Sequence, residues 1–275
     1  MNTALTALKR LAICFALILM VIPSFGWGNR AHSTIAYIAE SHMTPKAKKT
    51  VSEILDGKSI VYYASWLDFY RKDMLVEYVN ENGETKKGTI PHVIRVDENG
   101  VITVNKNRDA ISVINQSIEN LKDWKNLDDS TRLASLQCII HLVGDMHCPG
   151  HVRYADFDKN STDKKYDKTK VMYGKKKISM HNVWDSRVID DITPGGVYDL
   201  AYLIDNASKK EIKAIQKGTP EQWGQETADA SKGLWYIPEG EKITRNYFLE
   251  HRDFAFEQIE KAGLRLAKVL NDLFK

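Results

Sequence analysis

Two pairs of histidine and aspartate, each with helical spacing, constrain this chain more than any other feature. His141 precedes Asp145 and His181 precedes Asp185, with His151 just beyond the first pair. Residues four apart in an α-helix lie on one face, so each pair can project its side chains together. Neutral imidazole and carboxylate are ligands that zinc takes in proteins. The spacing therefore predicts helices that carry a metal centre with more ligands than one ion normally uses.

Residues 1–26 have the pattern of a secretory signal peptide. Lys9 and Arg10 form a short basic region, and the apolar run 11–23 is short for a membrane span. Small residues at Ser24 and Gly26 suit a signal peptidase. We expect cleavage after Gly26, so that the mature protein is secreted or periplasmic. An uncleaved membrane anchor is the alternative.

Cleavage would make Trp27 the first residue and give it a free α-amine. This amine and the Trp27 carbonyl oxygen can chelate one metal ion in a five-membered ring, and His32 follows closely enough to join them. In an uncut chain the same nitrogen is an amide and cannot bind the ion. Removal of the leader is therefore predicted to be one step in building the metal centre.

The mature chain, residues 27–275, is long enough for one large domain, and it shows no linker or internal repeat. Loss of Lys9 and Arg10 leaves 37 basic against 36 acidic residues. That balance neither requires nor excludes nucleic acid as a partner. Cys14 leaves with the leader, so Cys138 and Cys148 remain. Ten residues of helix would separate them by about 15 Å, which is too far for a disulfide.

Periodicity and turn residues predict a mainly α fold, a single-domain multi-helix bundle with a small β-hairpin. Thr44 and Pro45 are typical of an N-cap and a first helical position. Residues 97–100 are typical of a turn between strands. The segment 156–177 is rich in Lys and Asp, which is typical of a solvated loop. Helices are expected at 45–55, 60–72, 108–124, 129–147, 183–190, 201–206, 208–216, 220–234 and 243–273, and strands at 75–80 and 93–104.

The eight histidines are expected to divide into metal ligands and structural residues. His42 and His251 have no acidic or histidine neighbour at metal spacing and are expected to be structural. His147 lies off the helical face of His141 and is expected to orient the turn or a carboxylate. Asp68 and His92 are ambiguous when each is taken alone. The expected histidine ligands are His32, His92, His141, His151 and His181.

Taken together, these elements form an ordered series of motifs. They are Trp27-Gly-Asn-Arg-Ala-His32, Ala64-Ser-Trp-Leu-Asp68-Phe-Tyr-Arg71, Pro91-His92, His141-x3-Asp145-x-His-Cys-Pro-x-His151, His181-x-Val-Trp-Asp185 and the last helical segment 257–271. The series resembles the trinuclear-zinc, single-strand-specific nucleases of the S1/P1 type, which share the fold of zinc-dependent phospholipase C. The resemblance spans nearly all of the mature chain, and within the family we expect a bacterial member.

The resemblance implies three zinc ions and a hydrolytic reaction. Metal-activated hydroxide would attack the phosphodiester of single-stranded DNA or RNA and leave a 5′-phosphate, and 3′-nucleotidase activity is also implied. Arg71 matches a basic position that contacts the scissile phosphate, so Arg71 and the bridging Asp145 are the implied catalytic residues. The implied ligand sets are Asp68, His92, His141 and Asp145; the Trp27 amine and carbonyl, His32 and Asp145; and His151, His181 and Asp185.

Two positions after His92 depart from the family pattern, which usually has an aromatic residue and then Asp or Asn. This chain has Val93 and Arg95 there. Together with Arg71, these two residues occupy the implied substrate-binding positions. Val93 offers no π-face for base stacking, a contact worth about 1–3 kcal/mol. Arg95 is expected to grip phosphate instead.

Two other functions fit parts of the pattern. A bacterial-type zinc phospholipase C shares the fold, but its first Trp and His lie further apart, and its last carboxylate ligand is typically Glu where this chain has Asp185. A secreted zinc-binding protein without turnover would suit the departures at Val93 and Arg95. We expect the zinc-dependent phosphodiesterase, acting as a monomer without stable membrane association after cleavage.

Overall fold

The computed structural model describes residues 27–80, 82–155, 170–235 and 237–275. Over these residues the fold is mainly α, as predicted, with small sheets at its edges. The α-helices are α1 (Asn29–His42), α2 (Pro45–Ile54), α3 (Ile60–Tyr63), α4 (Trp66–Tyr70), α5 (Ala110–Lys122), α6 (Asp129–Met146), α7 (Met180–Asn182), α8 (Val188–Asp190), α9 (Val197–Ile204), α10 (Lys209–Ile215), α11 (Pro220–Ser231) and α12 (Arg245–Leu273). A π-helical turn spans Val183–Arg187, and 3₁₀ turns span Pro149–His151 and Lys232–Trp235.

The longest helix, α12, packs closely against α1. A Cβ atom added at Gly263 would come within 2.7 Å of Ile38 Cγ2, so glycine allows this close approach. Ile259 on α12 and Ile35 on α1 are fully buried in the same core. Each such side chain contributes about 1.5–3 kcal/mol through burial. The contact fixes the position of α1, which brings the start of the described chain into the interior.

Helix α6 is buried along most of its length. Asp128 caps its start by accepting a hydrogen bond from the Thr131 amide at 2.9 Å. Every residue from 135 to 146 is buried, so this half of the helix has protein on all sides. His141 and Asp145 therefore lie in the interior, where polar side chains need partners.

Three small sheets border the helices. Their strands are β1 (Leu75–Val79) with β2 (Thr85–Thr89); β3 (Ile94–Val96) between β4 (Ile102–Thr103) and β5 (Val152–Tyr154); and β6 (Lys170–Tyr173) between β7 (Lys176–Ser179) and β8 (Lys242–Ile243). The β3–β4 hairpin turns at 97–100, as predicted. Strand β3 also pairs in parallel with β5, which joins the segment after His92 to the segment after His151.

Most predicted helices are confirmed, with shifts of a few residues at their ends. The Thr44 side chain accepts a hydrogen bond from the Ala47 amide at 3.2 Å, and Pro45 begins α2 as expected. Cys138 and Cys148 are both free and buried. The sequence predicts neither β2 nor α1.

Helix α1 escapes prediction because its start carries no capping signal. Gly28 occupies the N-cap and supplies no side-chain hydrogen bond. Thr34, Ile35 and Ile38 are β-branched, which lowers helix propensity. The helix forms because these side chains are buried against the core, a tertiary effect that outweighs propensity.

The helix predicted over 60–72 is broken into α3 and α4. The Asp68 amide donates to the Ser65 carbonyl at 3.2 Å, one residue closer than in a regular α-helix. The Ala64 carbonyl accepts from His141 Nδ1 at 2.8 Å. The break thus turns a backbone carbonyl toward a histidine of α6.

The loop predicted over 156–177 is wrong at its C-terminal end, where β6 and β7 form a hairpin. Residues 156–169, and the predicted signal peptide at 1–26, lie outside the described part of the chain. Of the helices that the structure does describe, none is both long and apolar enough to cross a bilayer.

Candidate metal centre

The last turn of α6 holds a histidine and an aspartate side by side. His141 Nε2 lies 3.1 Å from Asp145 Oδ2, and both side chains are buried. A Cβ atom at Gly144 would lie 2.9 Å from His32 Nδ1. Glycine between the two polar residues therefore lets α1 bring a third side chain against them.

The carboxylate of Asp145 lies between two imidazoles. His32 Nε2 is 3.2 Å from Asp145 Oδ1, while His141 faces the other oxygen. The two rings stack with their centroids 4.1 Å apart and an interplanar angle of 15°. A carboxylate with an imidazole at each oxygen is compatible with a ligand shared between two metal ions.

Helix α4 supplies side chains at the rim of this group. Asp68 Oδ1 is 3.6 Å from His141 Nε2, and the Asp68 side chain is 10% exposed. Arg71 Nη1 donates a hydrogen bond to His92 Nδ1 at 2.9 Å. The acceptor nitrogen of His92 therefore faces α4, and in the neutral ring the proton is on Nε2. Zinc binding by His92 would require Arg71 to release Nδ1. The His92 ring lies 5.1 Å from the ring of His151, so His92 borders both halves of the centre.

A second group forms around Asp185. His151 Nδ1 is 3.9 Å from Asp185 Oδ1, and His181 Nε2 is 3.8 Å from Asp185 Oδ2. Asp185 lies in the π-helical turn, a distortion that is frequent at functional sites. His151 Nε2 is also 3.6 Å from Asp145 Oδ1, so the two groups are continuous.

Within the described residues, two triads of side chains could each hold a metal ion. The members of each triad lie within 4.8 Å of one another, and they are His32, Asp68 and His141, and Cys148, His151 and Asp185. His92 and His181 lie at the edges of these triads. Cys148 is not among the ligands predicted from sequence.

Backbone carbonyls orient two of the imidazoles. His141 Nδ1 donates to the Ala64 carbonyl and His181 Nδ1 to the Gly150 carbonyl, each at 2.8 Å. A carbonyl can only accept, so in the neutral rings Nδ1 carries the proton and Nε2 keeps its lone pair. Metal-binding histidines are normally fixed in this way.

Several buried polar atoms in the described centre have no hydrogen-bond partner. They are both ring nitrogens of His32, both ring nitrogens of His151 and both carboxylate oxygens of Asp145. Leaving a buried polar group unsatisfied costs about 1–3 kcal/mol. Metal ions would satisfy one nitrogen of each ring and the oxygens of Asp145, and zinc takes this donor set of imidazole nitrogen and carboxylate oxygen. The residues present therefore fit the metal that the sequence predicts.

Burial and neighbouring charges set the protonation of the centre. Burial lowers the pKa of His32 to about 4 and that of His92 to about 3, so both rings are neutral near pH 7. Although burial alone would lower it, the Asp145 carboxylate raises the pKa of His141 to about 9. Against the effect of burial, neighbouring imidazoles including that of His151 hold the pKa of Asp145 well below its usual range. The carboxylate is therefore ionised and ready to bind cations.

The segment before α1 lies against the same centre. The Trp27 side chain is fully buried. The Gly28 amide donates to the backbone carbonyl of Asp185, and the Gly28 carbonyl accepts from the His32 amide at 3.2 Å. The main chain of Trp27 therefore adjoins both groups of candidate ligands.

Val93 and Arg95, the two residues that depart from the family pattern, differ in exposure to solvent. Val93 is buried, with 6% of its surface exposed. Arg95 is exposed, and its Nε donates to the Arg108 carbonyl at 3.1 Å. Val93 is therefore not a surface on which a base could stack.

The remaining histidines have partners away from the centre. His147 Nδ1 donates to the Val143 carbonyl at 2.7 Å, and its Nε2 accepts from Arg265 at 2.9 Å. Both ring nitrogens of His147 are thus engaged within the turn and the core. His42 Nε2 lies 2.8 Å from Asp205, and His251 Nδ1 donates to the Tyr247 carbonyl at 2.7 Å.

Comparison with known proteins assigns this architecture to a family. A family model described as S1/P1 Nuclease matches residues 27–275. The chain belongs to the S1/P1 nuclease family. Members of this family are zinc-dependent hydrolases that act on single-stranded nucleic acids.

Individual relatives are matched over most of their length. Nuclease S1 of Aspergillus oryzae is 25% identical over 296 residues, covering 96% of this chain and 97% of the relative. Endonuclease 2 of Arabidopsis thaliana is 24% identical over 290 residues, covering 90% and 91%. Nuclease P1 of Penicillium citrinum is 24% identical over 285 residues, covering 90% and 97%.

Proposed function

We propose that this chain cleaves single-stranded DNA and RNA with zinc, leaving a 5′-phosphate and a 3′-hydroxyl, and that it also removes 3′-phosphate from nucleotides. The observation that carries the proposal is the buried Asp145 carboxylate, which lies between the imidazoles of His32 and His141 without a hydrogen-bond partner. Membership of the nuclease family supports the substrate class.

Three zinc ions are proposed, with Asp145 shared between two of them. Zinc bound there would supply a Lewis acid and a water activated near neutral pH. The short contacts from Asp145 to three imidazoles support the shared role. The proposed ligand sets are Asp68, His92, His141 and Asp145; the Trp27 amine and carbonyl, His32 and Asp145; and His151, His181 and Asp185.

Arg71 is the proposed contact for the scissile phosphate. Its guanidinium is permanently charged and presents donors in a fork that matches phosphate oxygens. It is half-buried at the rim and donates to His92, so it lies between solvent and the proposed ions. Neutralising the charge that develops on phosphate in the transition state is the role we assign to it. Arg95, exposed on β3, is proposed as a second phosphate contact.

Base stacking is proposed for Phe69 because Val93 is buried. Phe69 is 55% exposed and lies on α4 between Asp68 and Arg71. Its neighbour Tyr70 already stacks on Trp66, with centroids 5.2 Å apart. An exposed ring beside the phosphate-binding arginine offers the sequence-tolerant π-face that single-strand binding uses.

Removal of residues 1–26 is part of the proposal, and it implies export to the periplasm or the medium. The family match begins at Trp27, and the Gly28–Asp185 hydrogen bond holds the start of the mature chain at the centre. A terminal amine at Trp27 would then be available as a ligand. We propose that the mature chain is a single domain and acts as a monomer.

The test uses the mature, zinc-loaded protein and three assays: zinc content, cleavage of single-stranded against double-stranded DNA, and hydrolysis of a choline phospholipid. The parent should prefer single strands, and Asp145→Asn should lose both zinc and cleavage. His42→Asn is the control, because His42 pairs with Asp205 outside the centre, and it should keep both.

The other outcomes separate the alternatives. Full zinc content and normal cleavage in Asp145→Asn would overturn the shared-carboxylate assignment. Hydrolysis of phospholipid without cleavage of single strands would indicate a phospholipase C. Full zinc content with neither activity would indicate a zinc-binding protein without turnover.

A further inference from the structure

A surface cleft that the proposed function does not use lies between the β1–β2 hairpin and the loop 105–108, which leads into α5. Its volume is about 540 Å³, within the range of about 300–1,000 Å³ that ligand pockets usually have. The hairpin side is lined by Glu77, Tyr78 and Thr85, among others, and the loop side by Lys106 and Arg108. The cleft therefore has the size of a small-ligand site and cationic side chains on one wall.

The loop wall of the cleft is held against the hairpin. Asn107 Nδ2 donates a hydrogen bond to the Glu77 carbonyl at 2.6 Å, and the Arg108 amide donates to the Asn105 carbonyl at 2.8 Å. Asn107 has a φ of 56°, in the left-handed region that asparagine adopts more readily than most residues. These contacts fix the backbone next to Lys106 and Arg108, so both side chains start from a defined position.

An aromatic ring orders the arginine of the cleft. Arg108 is half-buried, and its guanidinium carbon lies 5.7 Å from the centroid of the Tyr78 ring, within the range of a cation–π contact. The Tyr78 ring in turn packs on Gly88 of β2, where an added Cβ atom would lie 3.0 Å from Tyr78 Cε1. The hairpin therefore holds Tyr78, and Tyr78 holds the guanidinium at the cleft.

The charge of the lining favours an anion. Lys106 is exposed and lines the cleft beside Arg108. Glu77 also lines it, but a carboxylate oxygen of Glu77 lies 3.6 Å from Lys87 Nζ, which offsets its charge. Guanidinium and ammonium groups only donate hydrogen bonds, and phosphate oxygens are strong acceptors for both.

A succession of cations connects this cleft to the metal centre. Arg71 donates a hydrogen bond to His92, and Arg95 follows His92 by three residues. Arg95 Nε donates to the Arg108 carbonyl at 3.1 Å. The three arginines and Lys106 therefore lead from the centre to the cleft. Several cations in succession suit a chain of phosphates better than one free phosphate ion.

We propose that the cleft is a distal subsite for the single strand, in which Arg108 and Lys106 bind a backbone phosphate outside the reacting nucleotide. This inference rests on the single-strand cleavage in the proposed function. Phosphate contacts do not read the bases, so the subsite would increase affinity for long strands of any sequence. Each such contact also releases counterions, which makes binding more dependent on salt. Strands too short to extend from the centre to the cleft gain nothing from it.

Steady-state cleavage by the mature, zinc-loaded protein tests the inference, with a long homopolymer strand and the shortest strand that the parent cleaves. Arg108→Gln and Lys106→Gln should each raise KM for the long strand by about 3–10-fold, the scale of losing one hydrogen-bonded contact. KM for the shortest strand should stay at the parental value. On the long strand, the slope of log KM against log salt concentration should decrease by about 0.7 in each variant.

Arg252→Gln is the matched control. The guanidinium carbon of Arg252 also lies near an aromatic ring, 5.9 Å from the centroid of Phe256, but on α12. Its Nε lies 2.8 Å from Asp253 Oδ1, so an acid already engages it. Arg252→Gln should keep the parental KM on both strands and the parental salt slope.

The remaining outcomes decide the question. Parental KM and salt slope on the long strand in both cleft variants would overturn the inference, and so would an equal rise of KM on both strands or an equal effect of Arg252→Gln. An effect in one cleft variant alone would assign the phosphate contact to that residue. Parental KM on the long strand with weaker inhibition by inorganic phosphate would indicate a site for free phosphate, and would also overturn the inference.

Two further results keep this inference separate from folding and from the proposed function. If Arg108→Gln does not fold, Lys106→Gln decides, because the Lys106 side chain is exposed. Failure of the zinc-loaded parent to cleave single strands would overturn the proposed function itself. Cleavage by the parent, with both cleft variants unchanged, would overturn only the distal subsite.

Discussion

Gly144→Ala should remove zinc from the centre while the protein stays folded. The added Cβ atom would lie 2.9 Å from His32 Nδ1 and 3.0 Å from His32 Cε1, whereas ordinary van der Waals contact begins at 3.4 Å. His32 must therefore move by about half an ångström. Metal–ligand distances hold to within about 0.2 Å, so the displaced imidazole no longer fits an ion placed by Asp145.

The magnitudes separate loss of metal from loss of fold. Overpacking costs about 1–3 kcal/mol, and alanine regains about 1 kcal/mol over glycine within a helix. The net loss of unfolding free energy in the metal-free protein should then be about 0–2 kcal/mol. Disturbing groups that orient metal ligands typically costs about 10–100-fold in affinity, and moving a ligand itself should cost at least as much.

Gly224→Ala provides the matched control. It is also a glycine within a helix, α11, and its added Cβ atom would lie 2.7 Å from Ile111 Cδ1 on α5, so it meets neither α1 nor a candidate ligand. Zinc content after dialysis against a zinc buffer, together with urea unfolding of the metal-free forms, is the assay. Both variants should be similarly destabilised, and only Gly144→Ala should lose zinc. Parental zinc affinity in Gly144→Ala, or equal zinc loss in Gly224→Ala, would refute the reasoning.

Three further results are expected. The metal-free protein should lose stability as the pH rises from about 6.5 through 9. The reason is that the folded state keeps a proton on His141, whose pKa is raised to about 9 by Asp145 against the effect of burial. In urea unfolding, His141→Gln should show no such decrease of unfolding free energy with pH, and an equal decrease in both proteins would contradict this. Arg71→Lys should lower kcat on single strands by about 10²–10³-fold, the scale of losing one preorganised hydrogen-bond donor. Its zinc content should be unchanged, and loss of zinc would show that Arg71 supports metal binding instead. Phe69→Ala should weaken binding of a short single strand by about 1–3 kcal/mol. The control is Tyr202→Ala, which removes another aromatic side chain, 84% exposed, and should leave binding unchanged. Equal effects of the two substitutions would contradict stacking on Phe69.

Helices with local signals could be predicted from the sequence. Thr44 and Pro45 fix the start of α2, and Ser208 caps α10 by accepting a hydrogen bond from the Glu211 amide. Such signals act within one turn of chain, so no knowledge of the fold is needed to read them. Helix α1 carries none of them, because Gly28 caps it without a side chain, and its formation depends on burial.

Long-range contacts account for the fold predictions that are wrong. The segment 60–72 is broken so that the Ala64 carbonyl meets His141, a partner far along the chain. The parallel pairing of β3 with β5 likewise joins distant segments. Strands β6 and β7 are rich in lysine, so their composition favours a solvated loop, and the pairing that orders them appears only in the structure.

In the candidate site, too, local spacing could be predicted from the sequence and long-range contacts could not. The pairing of His141 with Asp145 follows from helical spacing, and the structure brings the two within 3.1 Å. Bringing His32 to the same carboxylate requires α1 to pack against α6, which spacing alone does not specify. Cys148 escapes notice as a lone thiol, because only the fold shows that it meets Asp185.

Zinc content measured on two forms of the mature chain tests the central claim most directly. One form begins at Trp27, and the other retains Gly26, which turns the Trp27 amine into an amide. Native mass spectrometry under zinc-replete conditions should find three zinc ions in the first form and two in the second. The same number of ions in both forms, or a single ion in the first, would contradict a centre that the Trp27 amine completes around a shared Asp145.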